Sequence, residues 1–145
     1  MVEAIQYFNF PNANEALDFY EENFDAVITS KVLASDPMFE DGLEEMGMSQ
    51  EDAESFVMNA EFEVLGQKFM VSTTWEKKEI DNSGANVTFV FNTSNQEDYD
   101  TVKQFYRKAI EAGCVADMEE GPTEWTEYFA SFKDPFGVSW MISGE

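Results

Sequence analysis

The sequence predicts an α+β fold in which two βαβββ modules form a curved, mixed sheet. One observation is that the order strand, helix, strand, strand, strand occurs twice, the second time roughly 80 residues after the first. A second is that each predicted helix carries a single apolar stripe. We therefore expect one domain of 145 residues. Its modules span about residues 1–80 and 84–145, and the turn-forming run Asp81-Asn82-Ser83-Gly84 joins them.

In the first module, residues 5–10 are rich in β-forming side chains and predict the first strand. Asn12 is a favourable N-cap for the helix that follows, and Glu15 lies three residues later, as in a capping box. Strand patterns occupy residues 26–33, 55–64 and 68–75, with Leu65-Gly66-Gln67 as the turn between the last two. The predicted buried stripe of the helix consists of Ala13, Ala16, Leu17, Tyr20 and Phe24.

The second module repeats this order. Residues 86–93 predict a strand, and residues 96–112 predict a helix with acidic residues near its start and basic residues toward its end. Gly113 is a natural residue to follow the end of this helix. The remaining strands are expected at residues 114–118, 128–132 and 138–142. The predicted buried stripe consists of Tyr99, Val102, Tyr106, Ala109 and Ile110.

An acidic insertion at about residues 35–53 interrupts the first module. It contains Pro37, Gly42 and Gly47, and we expect a long loop with one or two helical turns. Such a loop in a small domain is either functional or mobile. It lacks the residue pattern of an EF-hand. We expect a solvated acidic surface, and weak attraction of cations is the alternative; the acids concerned are Asp36, Glu40, Asp41, Glu44 and Glu45.

Composition excludes several classes of protein. The net charge of −22 disfavours binding to nucleic acids and to anionic membranes. A hydrophobic content of 43% is sufficient for a core, and no apolar run approaches the roughly 20 residues of a membrane span. The first residues do not resemble a signal peptide. Cys114 is the only cysteine, so no disulfide can form within this sequence, and we expect a cytoplasmic protein.

Several segments together resemble PhnB-like proteins of the glyoxalase/bleomycin resistance/dioxygenase (vicinal oxygen chelate) superfamily. They are residues 12–20, the hairpin at residues 59–72, Trp125, Tyr128, and residues 134–140 with the sequence Asp-Pro-Phe-Gly-Val-Ser-Trp. The resemblance implies the paired βαβββ fold, usually as a homodimer. It also implies, for most enzymes of the group, a divalent metal bound by His and Glu. This sequence departs from the pattern at Asn59, where His is usual, and at Asp25, where Gly is usual.

The chain contains no histidine, which argues against that metal site. In metal-using relatives the ligands come from the first and last strands of each module. There this sequence offers Gln6, Thr88, Ser139 and Met141, with Met141 at the position of the usual Glu. A stable site needs three or four imidazole or anionic donors. We therefore expect no metal and no cofactor.

Other catalytic schemes also lack their residues. Cys114 and the serines have no histidine to act as a general base. No Gly-x-Gly occurs, which disfavours dinucleotide-binding folds, phosphate-binding loops and the methyl-donor loop of methyltransferases, a label often given to PhnB-like sequences. We identify no catalytic residue.

Alternation along residues 55–64 predicts a ligand-binding cleft instead. The polar residues of this strand should face away from the helix, because successive side chains point to opposite faces. Aromatic rings around a few polar groups suit a small organic ligand, and Glu61 with tryptophan rings would favour a cation. The candidate cleft residues are Gln6, Asn59, Glu61, Trp75, Trp125, Tyr128, Ser139 and Met141.

We therefore expect a metal-free, PhnB-like small-molecule-binding protein that is cytoplasmic and homodimeric. One alternative is an enzyme of the same superfamily that uses a cofactor without a recognisable motif, or uses Glu61 and Glu63, which would lie about 7 Å apart on one face of the strand. A second alternative is an acidic protein-interaction module without a ligand. For the cleft aromatics, the alternative is that they fill the core and dimer contacts.

Overall fold

The computed structural model describes residues 1–75 and 79–145, and the chain divides into two compact units, Met1–Ile80 and Asp81–Glu145. The first unit contains β1 (Tyr7–Phe10), α1 (Ala13–Asn23), β2 (Val27–Leu33), a 3-10 helix (Pro37–Gly42), α2 (Gln50–Ser55), β3 (Val57–Val64) and β4 (Gln67–Thr73). The second contains β5 (Asn86–Phe91), α3 (Gln96–Glu111), β6 (Val115–Gly121), β7 (Tyr128–Lys133) and β8 (Ser139–Gly144). No helix among the described residues combines the length and apolar character that a membrane crossing requires.

Each unit forms one four-stranded mixed sheet with the same topology. The strand orders are β1-β4-β3-β2 and β5-β8-β7-β6. In each sheet the first and last strands pair in parallel, and the other neighbours pair antiparallel. The prediction of two βαβββ modules in an α+β fold is confirmed.

Local sequence signals position α1 as predicted. The Asn12 side chain accepts a hydrogen bond from the Glu15 backbone N–H at 3.1 Å, which satisfies one of the free donors at the helix start. After the helix, Asp25 has φ 54°, which explains why glycine suits this position better. On its buried face, Tyr20 stacks on Phe62 of β3 with ring centroids 5.6 Å apart. All five residues of the predicted stripe are buried.

The second helix, α3, differs from its prediction in one important residue. Phe105 is buried and contacts Phe89 and Phe132, whereas the predicted stripe omitted it. Tyr99 and Ile110, which the stripe included, are only half-buried. The face of α3 that packs on the sheet is therefore centred near Phe105. The predicted stripe, which begins at Tyr99 and continues at intervals of three and four residues, is rotated away from this centre.

The Asp-Pro-Phe-Gly-Val-Ser-Trp run closes the connection between β7 and β8. Asp134 is buried, and its Oδ1 accepts hydrogen bonds from the backbone N–H groups of Phe136 (2.8 Å) and Val138 (3.0 Å). Its Oδ2 accepts a third from the indole Nε1–H of Trp140 at 2.9 Å. Gly137 has φ 90°, a left-handed conformation that favours glycine. This part of the family signature therefore has a structural role.

The acidic insertion is more ordered than a loop. The 3-10 helix lies within it and α2 begins within it and ends two residues beyond, in agreement with the predicted helical turns. It has a small apolar core of its own, which we call the insertion core; it consists of the buried residues Ala34, Leu43 and Ala53, with Met46, Met48, Phe56 and Met58 packed against them. Backbone hydrogen bonds from Ala34 to Phe56 (2.9 Å) and from Ser35 to Ala53 (3.1 Å) attach the start of the insertion to its end.

Candidate functional site

The predicted cleft residues of the first unit do not form one cluster. Glu61 is half-buried, and its carboxylate accepts a hydrogen bond from the Thr29 hydroxyl at 3.3 Å. Asn59 lies on the same strand but is exposed. Gln6 precedes β1 and has an exposed side chain, while its backbone carbonyl accepts a hydrogen bond from the Met70 N–H at 3.1 Å. Because side chains two residues apart on a strand lie on the same face, Gln6 belongs to the face of the buried Phe8 and not to the opposite, polar face of the sheet.

In the second unit, Ser139 and Met141 lie on one face of β8. Met141 pairs in register with Thr88 and with Ser131, so these side chains share the face that is turned away from α3. Trp125 is 67% exposed, and the edge of its ring contacts Phe129 at a centroid distance of 5.9 Å. Ser139 and Met141 are therefore neighbours, while Trp125 lies outside the sheet.

Tyr128 lies on the opposite face of this sheet. Its ring packs against Tyr99 of α3 and Phe91 of β5, with centroid distances of 5.4 and 6.0 Å. Its hydroxyl is buried and has no hydrogen-bond partner among the described residues. Burial raises the pKa of this phenol, and the negative charge of Glu120 raises it further. Tyr128 is thus a neutral core residue in this arrangement rather than a neighbour of Ser139 and Met141.

The residues present do not fit the metal site of the wider superfamily. Within residues 1–75 and 79–145, no three His, Cys, Asp or Glu side chains come together as a potential metal site. On the polar face beside Glu61, Glu63 carries a second carboxylate and is paired in register with Lys68. The other side chains around Met141 and Glu61 are hydroxyls, an amide and a thioether, those of Thr88, Ser131, Asn59 and Met70. These are weak donors for the divalent metals that imidazole and carboxylate ligands hold. We derive no chemical step through a metal.

A pocket of about 670 Å³ lies beside the acidic insertion, within the first unit. We call it the insertion pocket. One wall is the turn from Glu45 to Met48, and a second is formed by Asp52, Ser55 and Phe56 at α2. The sheet contributes Thr73, Thr74 and Trp75 from the end of β4, and α1 contributes Pro11 and Asn12 from its start. This volume falls within the range of about 300–1,000 Å³ that is typical of small-molecule sites.

Aromatic and thioether groups give the insertion pocket an apolar side. The rings of Phe56 and Trp75 meet at a centroid distance of 4.9 Å and an angle of 53°. Trp75 is 48% exposed, and Met46 and Met48 are half-buried. Trp75 is the single predicted cleft residue among those that line this pocket.

Sequence reasoning missed the rest of the pocket. Glu45 was recognised only as one of a run of acids, and Asp52 and Phe56 were not selected. The signal for the pocket in the sequence is that methionines stand beside acids in the insertion. A fully solvated loop would expose the apolar side chains of Met46 and Met48 to water, so these two residues indicate packing or a binding surface. Their closeness to Trp75 depends on tertiary packing.

The fold and the absence of a suitable metal-ligand set define a class of protein: a paired-βαβββ protein without the usual metal-binding side chains among its described residues. The sequence profile of the Glyoxalase/Bleomycin resistance protein/Dioxygenase superfamily matches residues 7–142, and the chain belongs to that superfamily.

Solved structures with the same fold cover essentially the whole chain. Protein PA1353 from Pseudomonas aeruginosa superposes with a TM-score of 0.74 at 20% identity, covering 100% of this chain and 98% of its own. The PhnB protein from Bacillus cereus has a TM-score of 0.69 at 20% identity, with 99% and 100% coverage. TioX from Micromonospora sp. ML1 has a TM-score of 0.63 at 13% identity, with 99% and 96% coverage. A comparison with curated protein sequences gives no match.

Proposed function

We propose that this protein is a PhnB-like small-molecule-binding protein that works without a metal or another cofactor. The insertion pocket is the observation that carries the proposal. It combines a suitable volume with an aromatic side, two threonines and two carboxylates, the mixture of apolar surface and few polar groups found in ligand sites. Membership of the superfamily and the structural likeness to the PhnB protein from Bacillus cereus support the PhnB-like part of the proposal.

We further propose that the protein acts as a cytoplasmic homodimer. Its lone cysteine is buried, which suits a reducing compartment. Large apolar side chains remain exposed at the strands, among them Val27, Val90 and Val115. Two-fold pairing of chains is the simplest way to cover such surface.

The binding proposal is tested by blocking the insertion pocket. Ser55→Trp places a large ring on α2 within the pocket, and Glu54→Trp adds the same ring to an exposed position of α2 outside the lining. Both variants and the natural protein would be titrated with the neutral fluorescent probe N-phenyl-1-naphthylamine, with and without EDTA. We expect binding that Ser55→Trp weakens at least about tenfold, as a rough figure for filling a ligand site, and that Glu54→Trp and EDTA leave within about twofold.

Binding that survives Ser55→Trp would place the ligand elsewhere and refute the pocket as the functional site. Binding that EDTA abolishes, and that one equivalent of a divalent metal restores, would refute the metal-free proposal.

A further inference from the structure

We propose that the insertion pocket selects amphipathic organic cations, in which an ammonium, amidinium or quaternary ring nitrogen is attached to or forms part of an aromatic or branched apolar body. This inference rests on the proposed function and specifies the chemistry of its ligand. It draws on three features of the pocket: its charge, its exposed tryptophan ring and its methionine-rich wall.

The first feature is an imbalance of charge. Glu45 and Asp52 both line the pocket, and none of its described lining residues is Lys or Arg. Among the described residues, neither carboxylate forms an ion pair or accepts a hydrogen bond, so both charges are available to a ligand. The segment from the start of the insertion to the end of α2, residues 35–55, carries eight acidic residues and no basic residue.

The start of α1 opposes this field only weakly. Pro11 and Asn12 bring the positive end of the helix dipole to the pocket, equivalent to roughly half an elementary charge. The Asn12 side chain already caps the Glu15 N–H, so that donor is not free for an anion. Two full negative charges exceed this partial positive charge, so the described lining of the pocket attracts cations.

The second feature is the ring of Trp75. It is 48% exposed although it belongs to the most apolar side of the pocket, and Phe56 supports it from one side. An exposed indole face attracts ammonium and guanidinium groups within about 6 Å of its centre, and tryptophan is the best aromatic residue for this interaction. A ring held by Phe56 loses little additional freedom when a cation binds to it.

The third feature is the apolar wall formed by Met46 and Met48. Both side chains are half-buried and belong to the insertion core. Methionine is flexible and polarizable, so it adapts to ligand bodies of different shape. The pocket therefore combines fixed charges with an adaptable apolar wall, which suits a class of cations rather than one molecule.

Three aromatic fluorescent probes of different charge test the inference. They are the cation berberine, the neutral N-phenyl-1-naphthylamine and the anion 8-anilinonaphthalene-1-sulfonate, each titrated into the full-length protein at low ionic strength. We expect berberine to bind at least about fivefold more tightly than the neutral probe, and the anion to bind most weakly, because two carboxylates act on the cation. We expect berberine affinity to fall as NaCl is raised to 0.15 M.

Matched variants assign the effect to the pocket. Glu45→Gln/Asp52→Asn and Glu51→Gln/Glu54→Gln each remove two charges from the same insertion, but only the first pair lines the pocket. Glu45→Gln/Asp52→Asn should weaken berberine binding about 5- to 30-fold, because these carboxylates would lie close to the bound cation. Glu51→Gln/Glu54→Gln should weaken it less than twofold, because charges outside the pocket act on the cation through screening solvent. Trp75→Ala should weaken it about 2- to 30-fold, and Trp125→Ala, at an exposed tryptophan of the second unit, should not.

The outcomes separate the two proposals. If the neutral probe binds in the pocket and berberine shows no preference, the cation inference falls while the proposed function stands. If both charge variants weaken berberine equally, the effect is one of net charge and the inference is also refuted. If none of the three probes binds, both proposals fail.

Discussion

Asp134 offers a demanding test of the fold, because one buried carboxylate holds three N–H groups in the turn between β7 and β8. Asp134→Ala removes both carboxylate oxygens and with them all three hydrogen bonds, two from backbone N–H groups and one from the Trp140 indole N–H. Asp134→Asn keeps one oxygen, but its amide nitrogen cannot accept a hydrogen bond. With the amide oxygen at the Oδ1 position, the second variant loses only the bond from Trp140. In the reverse orientation it loses both backbone bonds, so the first orientation is favoured.

The magnitudes follow from these contacts. A hydrogen bond to a charged group contributes about 1.5–3 kcal/mol, but bonds that share one acceptor are not additive, and the mutant no longer has to bury a carboxylate. We expect the free energy of unfolding to fall by about 3–4 kcal/mol for Asp134→Ala and by about 1–2 kcal/mol for Asp134→Asn. At roughly 3 °C per kcal/mol for a chain of this length, Asp134→Ala should lower Tm by about 10 °C.

Urea unfolding followed by tryptophan fluorescence measures both values, and Trp140→Phe supplies the control. Trp140→Phe removes the indole donor, so Asp134→Asn should cost about 1 kcal/mol less in that background than in the natural chain. A loss below about 1 kcal/mol for Asp134→Ala, or an Asp134→Asn penalty that Trp140→Phe leaves unchanged, would show that these hydrogen bonds do not hold the turn.

Four further predictions concern the whole chain. After dialysis, elemental analysis should find well under one Zn, Fe, Mn or Ni per chain; one equivalent would require a ligand set of Asp and Glu. With a net charge of −22, Tm should rise between about 10 mM and 1 M NaCl, and a flat or falling Tm would mean that attractive ion pairs dominate. Light scattering coupled to gel filtration should give twice the chain mass of 16.5 kDa, and a single-chain mass would refute the homodimer. Burial, followed by the charge of Asp134, raises the pKa of the Cys114 thiol from 9.0 to about 12. Between pH 9 and about 12 the folded thiol therefore keeps its proton while the unfolded thiol loses it. The contribution of Cys114 to the free energy of unfolding is complete below about pH 9 and is lost as the pH rises toward 12. At pH 8 the folded thiol should react with a disulfide reagent at least about 100-fold more slowly than in urea, and equal rates would contradict its burial.

Much of the fold could be predicted because its signals are local. Asn12 caps α1, and Gly113, with φ 103°, follows the end of α3. In the turn between β3 and β4, Leu65 and Gly66 have φ values of 51° and 75°, as a tight hairpin turn requires. In each case one or two neighbouring residues determine the backbone conformation, and no distant contact is needed.

The candidate site was harder to predict because it depends on which face each helix covers and on where the insertion packs. Tyr128 is in phase with Phe132 on β7, and α3 covers that face, which separates it from Ser139 and Met141. The alternation of polar and apolar residues shows that each strand has two faces. It does not show which face of one strand lies beside which face of the next, because that depends on the pairing register. Trp75 and Met46 are far apart in sequence, and only tertiary packing brings both to the insertion pocket.

The insertion core gives the pocket a thermodynamic property of its own. The insertion packs around the small cluster of Ala34, Leu43 and Ala53, with Met58 of β3 against it, so we expect it to open locally more readily than the sheet of the first unit. Opening would remove the walls carried by Met46 and Asp52 and leave those carried by Thr74 and Trp75. A ligand that needs both halves binds only the closed form, and its apparent affinity is scaled by the closed fraction. Residues such as Ala53, which do not line the pocket, therefore help to set its affinity, and a bound ligand should slow hydrogen exchange across the whole insertion.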